Sequence, residues 1–162
     1  MITIRKASAR DIPLIFGLWK NFVKEHDSMI LKKSPEMKPL LTLKKNKAEM
    51  YKKEVKKSIA SKNRIIFIAE KGKKPAGYIE LCIDKRGYGV IGYMGVIYDI
   101  FVKKEFRKLG VSSRLKQEAV KWFKSKKLRY MGLNVHIYNK QAYSVYKRWG
   151  FSDTDRRMIK KI

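Results

Sequence analysis

With 162 residues, 44% hydrophobic and 12% aromatic, the chain holds enough apolar material for one packed domain and too much for a disordered polymer. A single cysteine, Cys82, excludes an internal disulfide framework and a cysteine-rich zinc site, and no apolar run approaches the ~18 residues that a membrane span needs. The net charge of +26, from 40 Lys and Arg against 14 Asp and Glu, favours polyanionic partners, although lysine spread along a chain also simply solvates a surface. The opening residues lack the apolar centre of a signal peptide, so an intracellular, cytoplasmic protein is expected.

In chain order, Ile2 and Ile4 alternate with polar neighbours as a short strand. Ser8 then precedes a helix predicted over about 9–26, with Ile12, Ile15, Phe16, Trp19, Phe22 and Val23 on one stripe and Pro13 in its first turn. His26 would end this helix, where an imidazolium suits the C-terminal dipole. Residues 27–45 read as a loop punctuated by Pro35 and Pro39, and Ala48, Tyr51, Val55 and Ile59 mark a second, lysine-faced helix. Strands follow at 64–69 and 76–84, the second with Ile79, Leu81 and Ile83 on one face and Tyr78, Glu80, Cys82 and Asp84 on the other.

Gly87 to Gly92 literally matches the dinucleotide fingerprint G-x-G-x-x-G, but a β-type run follows it where that motif requires a helix, so it is rejected. The run Val96–Val102 ends at a basic turn, and Val111, Leu115, Ala119, Trp122 and Phe123 then form one helical stripe over about 110–126. A strand, a glycine turn and a helix N-terminus make an anion site: the first helical amides have no partner, the dipole is positive there, and Arg107, Lys108, Arg114, Ser112 and Ser113 add charge and donors. An ordinary solvated junction is the competing reading. A strand at about 130–137 and a helix capped by Asn139 and stopped by Gly150 come next, and Phe151 with Met158-Ile159 reads as a last strand or hairpin.

Arg107-Lys108-Leu109-Gly110-Val111-Ser112 resembles the acetyl-CoA motif R/Q-x-x-G-x-G/A of the GCN5-related N-acetyltransferases, with Ser112 departing at the last position. Asn139, Ala142, Val145, Tyr146, Gly150 and Phe151 resemble the same family's C-terminal signature, N-x-x-A-x-x-L-Y-x-K-x-G-F, and the first strand and helix are similar too. The resemblance covers 1–26 and 64–151 and implies one α/β (α+β) domain over 1–162: a mixed, mostly antiparallel twisted sheet flanked by helices, with a splayed central strand pair. Residues 27–62, which carry no family motif, would form the variable acceptor side.

The resemblance also implies acetyl-CoA as cosubstrate, with no metal, and direct transfer of acetyl to a primary amine. Its binding residues would be Ile100, Phe101 and Val102 on the splayed strand, then Arg107, Lys108, Leu109, Gly110, Val111, Ser112 and Ser113, with Asn139 and Tyr146 downstream. Tyr146 suits the acid that protonates the departing thiolate, a phenol being protonated at neutral pH, unless it simply packs its ring. The positions where the family often carries a base hold Val96 and Tyr98. Asp99 should point to the opposite face unless a β-bulge re-aims it, leaving Asp99, Glu80 or a water chain as candidates. His136 could reach the cleft, or be a packed strand histidine, and Cys82 reads as a small apolar filler.

The acceptor would be a protein N-terminus or lysine, a polyamine or another small amine, with polycations disfavoured by the +26 charge. A monomer or homodimer is expected. The alternative function is a basic module on the same fold, binding CoA or, by weak electrostatics, nucleic acid, without catalysis; the missing base favours it and Tyr146 opposes it.

Overall fold

The computed structural model describes residues 1–85 and 90–160; Gly87 and Gly89 of the rejected glycine motif lie outside the described residues. Five strands form one sheet in the order β1 (Ile2–Lys6), β2 (Arg64–Lys71), β3 (Lys74–Lys85), β4 (Tyr93–Val102) and β5 (Met131–Leu133). The first three pairings are antiparallel and β4–β5 is parallel, so the sheet is mixed and mostly antiparallel.

Helices cover both faces. On one side lie α1 (Ile12–Leu31) and α3 (Lys47–Ala60), joined through a short α2 (Lys38–Leu41); Ile15, Leu18 and Val55 meet Ile66, Ile68, Tyr78 and Phe101. On the other side α4 (Val111–Ser125) sets Val111, Leu115, Ala119 and Phe123 against Ile79, Leu81 and Ile97. That is the predicted stripe, except that Trp122 sits at its half-buried margin. α5 (Lys140–Arg148) is capped as expected, with Ala142 N–H donating to Asn139 Oδ1 at 3.1 Å.

Three expectations need correction. α1 runs on to Leu31 because Ile30, 1% exposed, extends the apolar stripe past Phe22, so His26 is inside the helix and not at its end. β5 stops at Leu133, since Asn134 turns outward to solvent. The proposed last strand is absent among the described residues: the segment after Phe151 is mostly polar and leaves Met158 and Ile159 exposed.

Two features of β4 determine the site. Its pairing with β5 covers only Gly95–Ile97, so from Tyr98 to Val102 its outer edge is open; this is the expected splay. Its register against β3 also slips: Glu80 lies opposite Asp99 while Leu81 lies opposite Ile97, leaving Tyr98 as an extra residue. Such a bulge moves every later side chain to the other face of the strand. Asp99 and Phe101 therefore join Tyr78 and Glu80 on the α1/α3 side, while Ile100 and Val102 pack toward α4.

Beyond the bulge the two strands run very close. A Cβ on Gly77 would collide with the backbone carbonyl of Phe101, which has no flexible end to yield. Gly77→Ala is expected to lower stability by about 1–3 kcal/mol, read as a lower midpoint in urea unfolding; an unchanged midpoint would show that β4 is not held this tightly.

Candidate active site

The open edge of β4 presents backbone groups in alternation. Lys103 N–H donates inward to Ala76 O at 2.9 Å, which turns the amides of Val102 and, two residues back, Ile100 away from β3. Phe101, between them, spends its backbone groups on β3 and buries its ring. The Val102 carbonyl accepts from Arg107 Nε at 2.9 Å, and the same guanidinium pairs with Glu25 of α1 at 2.6 Å. Arg107 thus ties the end of β4 to α1 and shares its charge with a carboxylate, where the sequence suggested a free phosphate ligand.

After Arg107 the chain enters α4 through two left-handed residues, Lys108 (φ 60°) and Gly110 (φ 79°). A non-glycine residue held there carries strain of ~1–3 kcal/mol, a cost that concentrates at binding sites. Nothing lies within 4 Å of where a Gly110 Cβ would stand. Arg114 N–H bonds Gly110 O, so the amides of Val111, Ser112 and Ser113 are the ones left without an intrahelical acceptor. This geometry fits a pyrophosphate: three amides at a helix N-terminus, open space above the glycine, and the exposed Ser113 and Arg114 beside them. Lys108 and Leu109 are both exposed in the turn.

On the opposite face, the bulge brings two carboxylates together with different surroundings. Glu80 is 3% exposed and its Oε1 accepts from Ser58 Oγ of α3 and from Arg64 of β2, each at 2.8 Å. Arg64 in turn lies over the exposed Tyr98 ring, 5.0 Å from its centroid. Asp99 is half-buried, with no cationic partner in contact among the described residues; Tyr78 Oη donates to its Oδ2 at 3.1 Å. Burial, then the neighbouring Glu80 charge, push the Asp99 carboxyl up to about 6, against the pull of the Tyr78 hydrogen bond and of Arg64. A carboxylate poised there can accept a proton near neutral pH.

Tyr146 of α5 packs its half-buried ring on Trp149 and Phe151. Burial, reinforced by the Asp99 charge, pushes its phenol up to about 12, so it stays protonated at neutral pH. Among the described residues its hydroxyl has no hydrogen-bond partner. His136 lies just past β5, edge-on to His26 with ring centroids 5.8 Å apart, and burial lowers its pKa. The pair joins the end of β5 to α1. Burial raises the half-buried Cys82 thiol, in keeping with a filler. No group of three or more potential metal ligands occurs among the described residues.

A cleft of about 550 Å³ opens beside Phe101, between α1 and the turn after β4. Lys24 and Lys32 line it from α1, and Lys103 and Lys104 from the turn.

The Acetyltransferase (GNAT) family model matches residues 34–151. The chain belongs to this acetyltransferase family. An uncharacterised N-acetyltransferase of Methanocaldococcus jannaschii is 32% identical over 107 residues, which cover 59% of this chain but only 45% of that relative. Among solved structures, a predicted acetyltransferase from Clostridium acetobutylicum with acetyl-CoA superposes with a TM-score of 0.80 at 18% identity, covering 99% of this chain and 96% of that one. The AAC(6')-Iy enzyme in complex with a CoA–acetylneamine bisubstrate analogue gives 0.77 at 18% identity, with 100% and 98% coverage. An aminoglycoside acetyltransferase from an uncultured soil sample, solved with sisomicin, gives 0.72 at 13%, with 99% and 96% coverage. At these identities the superpositions speak for the shared GNAT fold.

The sequence pointed to Asp99, Glu80 and Tyr146; Glu80 lies opposite Asp99 across the β3–β4 pair, and the Asp99 charge reaches the Tyr146 phenol. It did not point to Tyr51, Ser58 or Arg64. The available signal was the buried polar face of β3, where Tyr78 and Glu80 require partners from elsewhere in the chain.

Raised in the folded state to about 6 from an ordinary value of 3.8, Asp99 costs stability when ionised. The cost is absent below the unfolded pKa, grows as pH rises between the two values, and is complete above about 6. Asp99→Asn is therefore expected to stabilise the protein by about 1–3 kcal/mol at pH 8 and by nothing measurable below pH 4. Chemical denaturation at the two pH values checks this, and equal effects at both would contradict it.

Proposed function

We propose that this GNAT-family protein transfers acetyl from acetyl-CoA to a primary amine, with Asp99 as the base and Tyr146 as the acid. The observation that carries the reading is the bulge at Tyr98: it sets a carboxylate with a raised pKa next to the open Ile100 and Val102 amides. Acetyl-CoA supplies the activated acyl carbon, which the amine attacks as the carbon–sulfur bond breaks. Asp99 takes a proton from the incoming ammonium and passes it to solvent, freeing the nitrogen lone pair. Tyr146 gives its proton to the leaving thiolate and is reprotonated as the new amide nitrogen loses its second proton. The balance is one ammonium and one thioester converted to one amide, one thiol and one proton.

The amides at the start of α4, with Lys108, Ser112, Ser113 and Arg114, hold the pyrophosphate. The amide of Ile100 or Val102 polarises the thioester carbonyl. Glu80, held by Arg64 and Ser58, raises the basicity of Asp99 rather than taking the proton itself. Asn139 acts through the cap that orients α5 and hence Tyr146. The non-catalytic alternative drew on the lack of a carboxylate on this face of β4, and Asp99 supplies one.

The four lysines of the cleft beside Phe101 outnumber its Glu25 and Glu105, of which Glu25 is already paired with Arg107, and within a +26 protein they disfavour a polycationic acceptor. A peptide with a free N-terminus and acidic residues behind it suits this field better than spermidine.

Thiol release from acetyl-CoA, measured against peptides, polyamines and small amines, tests the reading. Amine-dependent release is expected, with acidic peptides ahead of spermidine. Asp99→Asn should lower kcat/KM about 100-fold and Tyr146→Phe about tenfold or more. Turnover unaffected by Asp99→Asn would remove the base, and acetyl-CoA binding with no release to any amine would favour a binding module.

A further inference from the structure

We propose that Tyr78 and Tyr51 are positioning residues for Asp99, forming a chain of two buried phenols, Tyr51 to Tyr78 to Asp99, that orients the carboxylate and steadies its negative charge. This rests on reading Asp99 as the base. Tyr78 is fully buried, and its single hydroxyl proton is committed to Asp99 Oδ2 at 3.1 Å. Its oxygen lone pairs remain to accept a bond.

Tyr51 supplies the matching donor. Its hydroxyl is buried with no hydrogen-bond partner of ordinary geometry, and it lies beside the Tyr78 hydroxyl. An orphaned buried hydroxyl is costly, and a small approach toward Tyr78 would satisfy it. The Tyr51 ring is fixed by stacking on Trp19 of α1, with centroids 4.1 Å apart, so the hydroxyl's direction is set by packing. Tyr51 comes from α3.

The groups around Asp99 act in opposite directions. Glu80 on β3 repels its charge, as burial does, while the Tyr78 hydrogen bond and Arg64 of β2 favour it. Tyr98 on β4, Tyr51 on α3 and Tyr146 on α5 are neutral phenols within its field. Among the described residues, Tyr78 alone donates directly to the carboxylate. Its loss should therefore leave burial and Glu80 less opposed.

Phenylalanine preserves both rings and removes only the hydroxyls, which separates this role from core packing. The readout is the titration of the Asp99 side-chain carboxyl by carbon-13 NMR, assigned by its absence in Asp99→Asn, and it requires no acceptor. From a wild-type midpoint near 6, Tyr78→Phe should move the midpoint up by roughly one pH unit. Tyr51→Phe should move it less, in the same direction, and the double variant no further than Tyr78→Phe alone, because Tyr51 acts only through Tyr78. Tyr143→Phe, on the exposed side of α5, should leave it unchanged. A midpoint unmoved or lowered in Tyr78→Phe overturns the chain, and a fully additive double variant removes Tyr51 from it. Failure of the base reading shows separately, as undiminished turnover in Asp99→Asn with the wild-type titration intact.

Discussion

Between Leu81 and Glu80 of β3, the facing strand β4 inserts one residue more than its partner, and the arrangement of the polar face shared with α1 and α3 follows from that insertion. Without Tyr98 as the extra residue, strict alternation would send Asp99 toward α4, among Ile79, Leu81 and Leu115, where a carboxylate has no partner. With it, Asp99 meets Tyr78 and Glu80, and Ile100 and Val102 complete the apolar face beneath α4. The bulge also falls where pairing with β5 ends, so the re-aimed carboxylate and the open amide edge occur together.

Charge is distributed unevenly in that space. Glu80, the more buried carboxylate, is held by Arg64 and Ser58. Asp99, its cross-strand neighbour, has the Tyr78 phenol as its one hydrogen-bond partner among the described residues, and burial together with the Glu80 charge raises its pKa. Two carboxylates with different surroundings can thus take different roles, one setting the field and one exchanging a proton. Arg107 follows a similar logic at the other end of β4: paired with Glu25 and Val102 O, it braces the turn after β4 against α1 and leaves the first backbone amides of α4 open.

Much of this was readable from residue order. The stripe of α4, the cap at Asn139 and the strand–turn–helix around Gly110 depend on local spacing, and the structure matches them. The bulge does not depend on local spacing, because register belongs to a pair of strands; the pattern of β4 alone assigns Asp99 to the wrong face. The extension of α1 was hidden because Asp27 and Ser28 look like a loop, whereas buried Ile30 decides the matter through tertiary contact. Tyr51 looked like one more apolar position on an amphipathic helix, and only the packed structure puts its hydroxyl next to Tyr78.

The pH dependence of kcat/KM for acetyl transfer, compared between the wild type and Asp99→Asn, tests the central claim most directly. A carboxylate base titrating near 6 predicts a wild-type rate that rises with pH through that value and then levels, with the rise absent in the variant. The same rise persisting in Asp99→Asn would contradict the assignment and return the proton to another group.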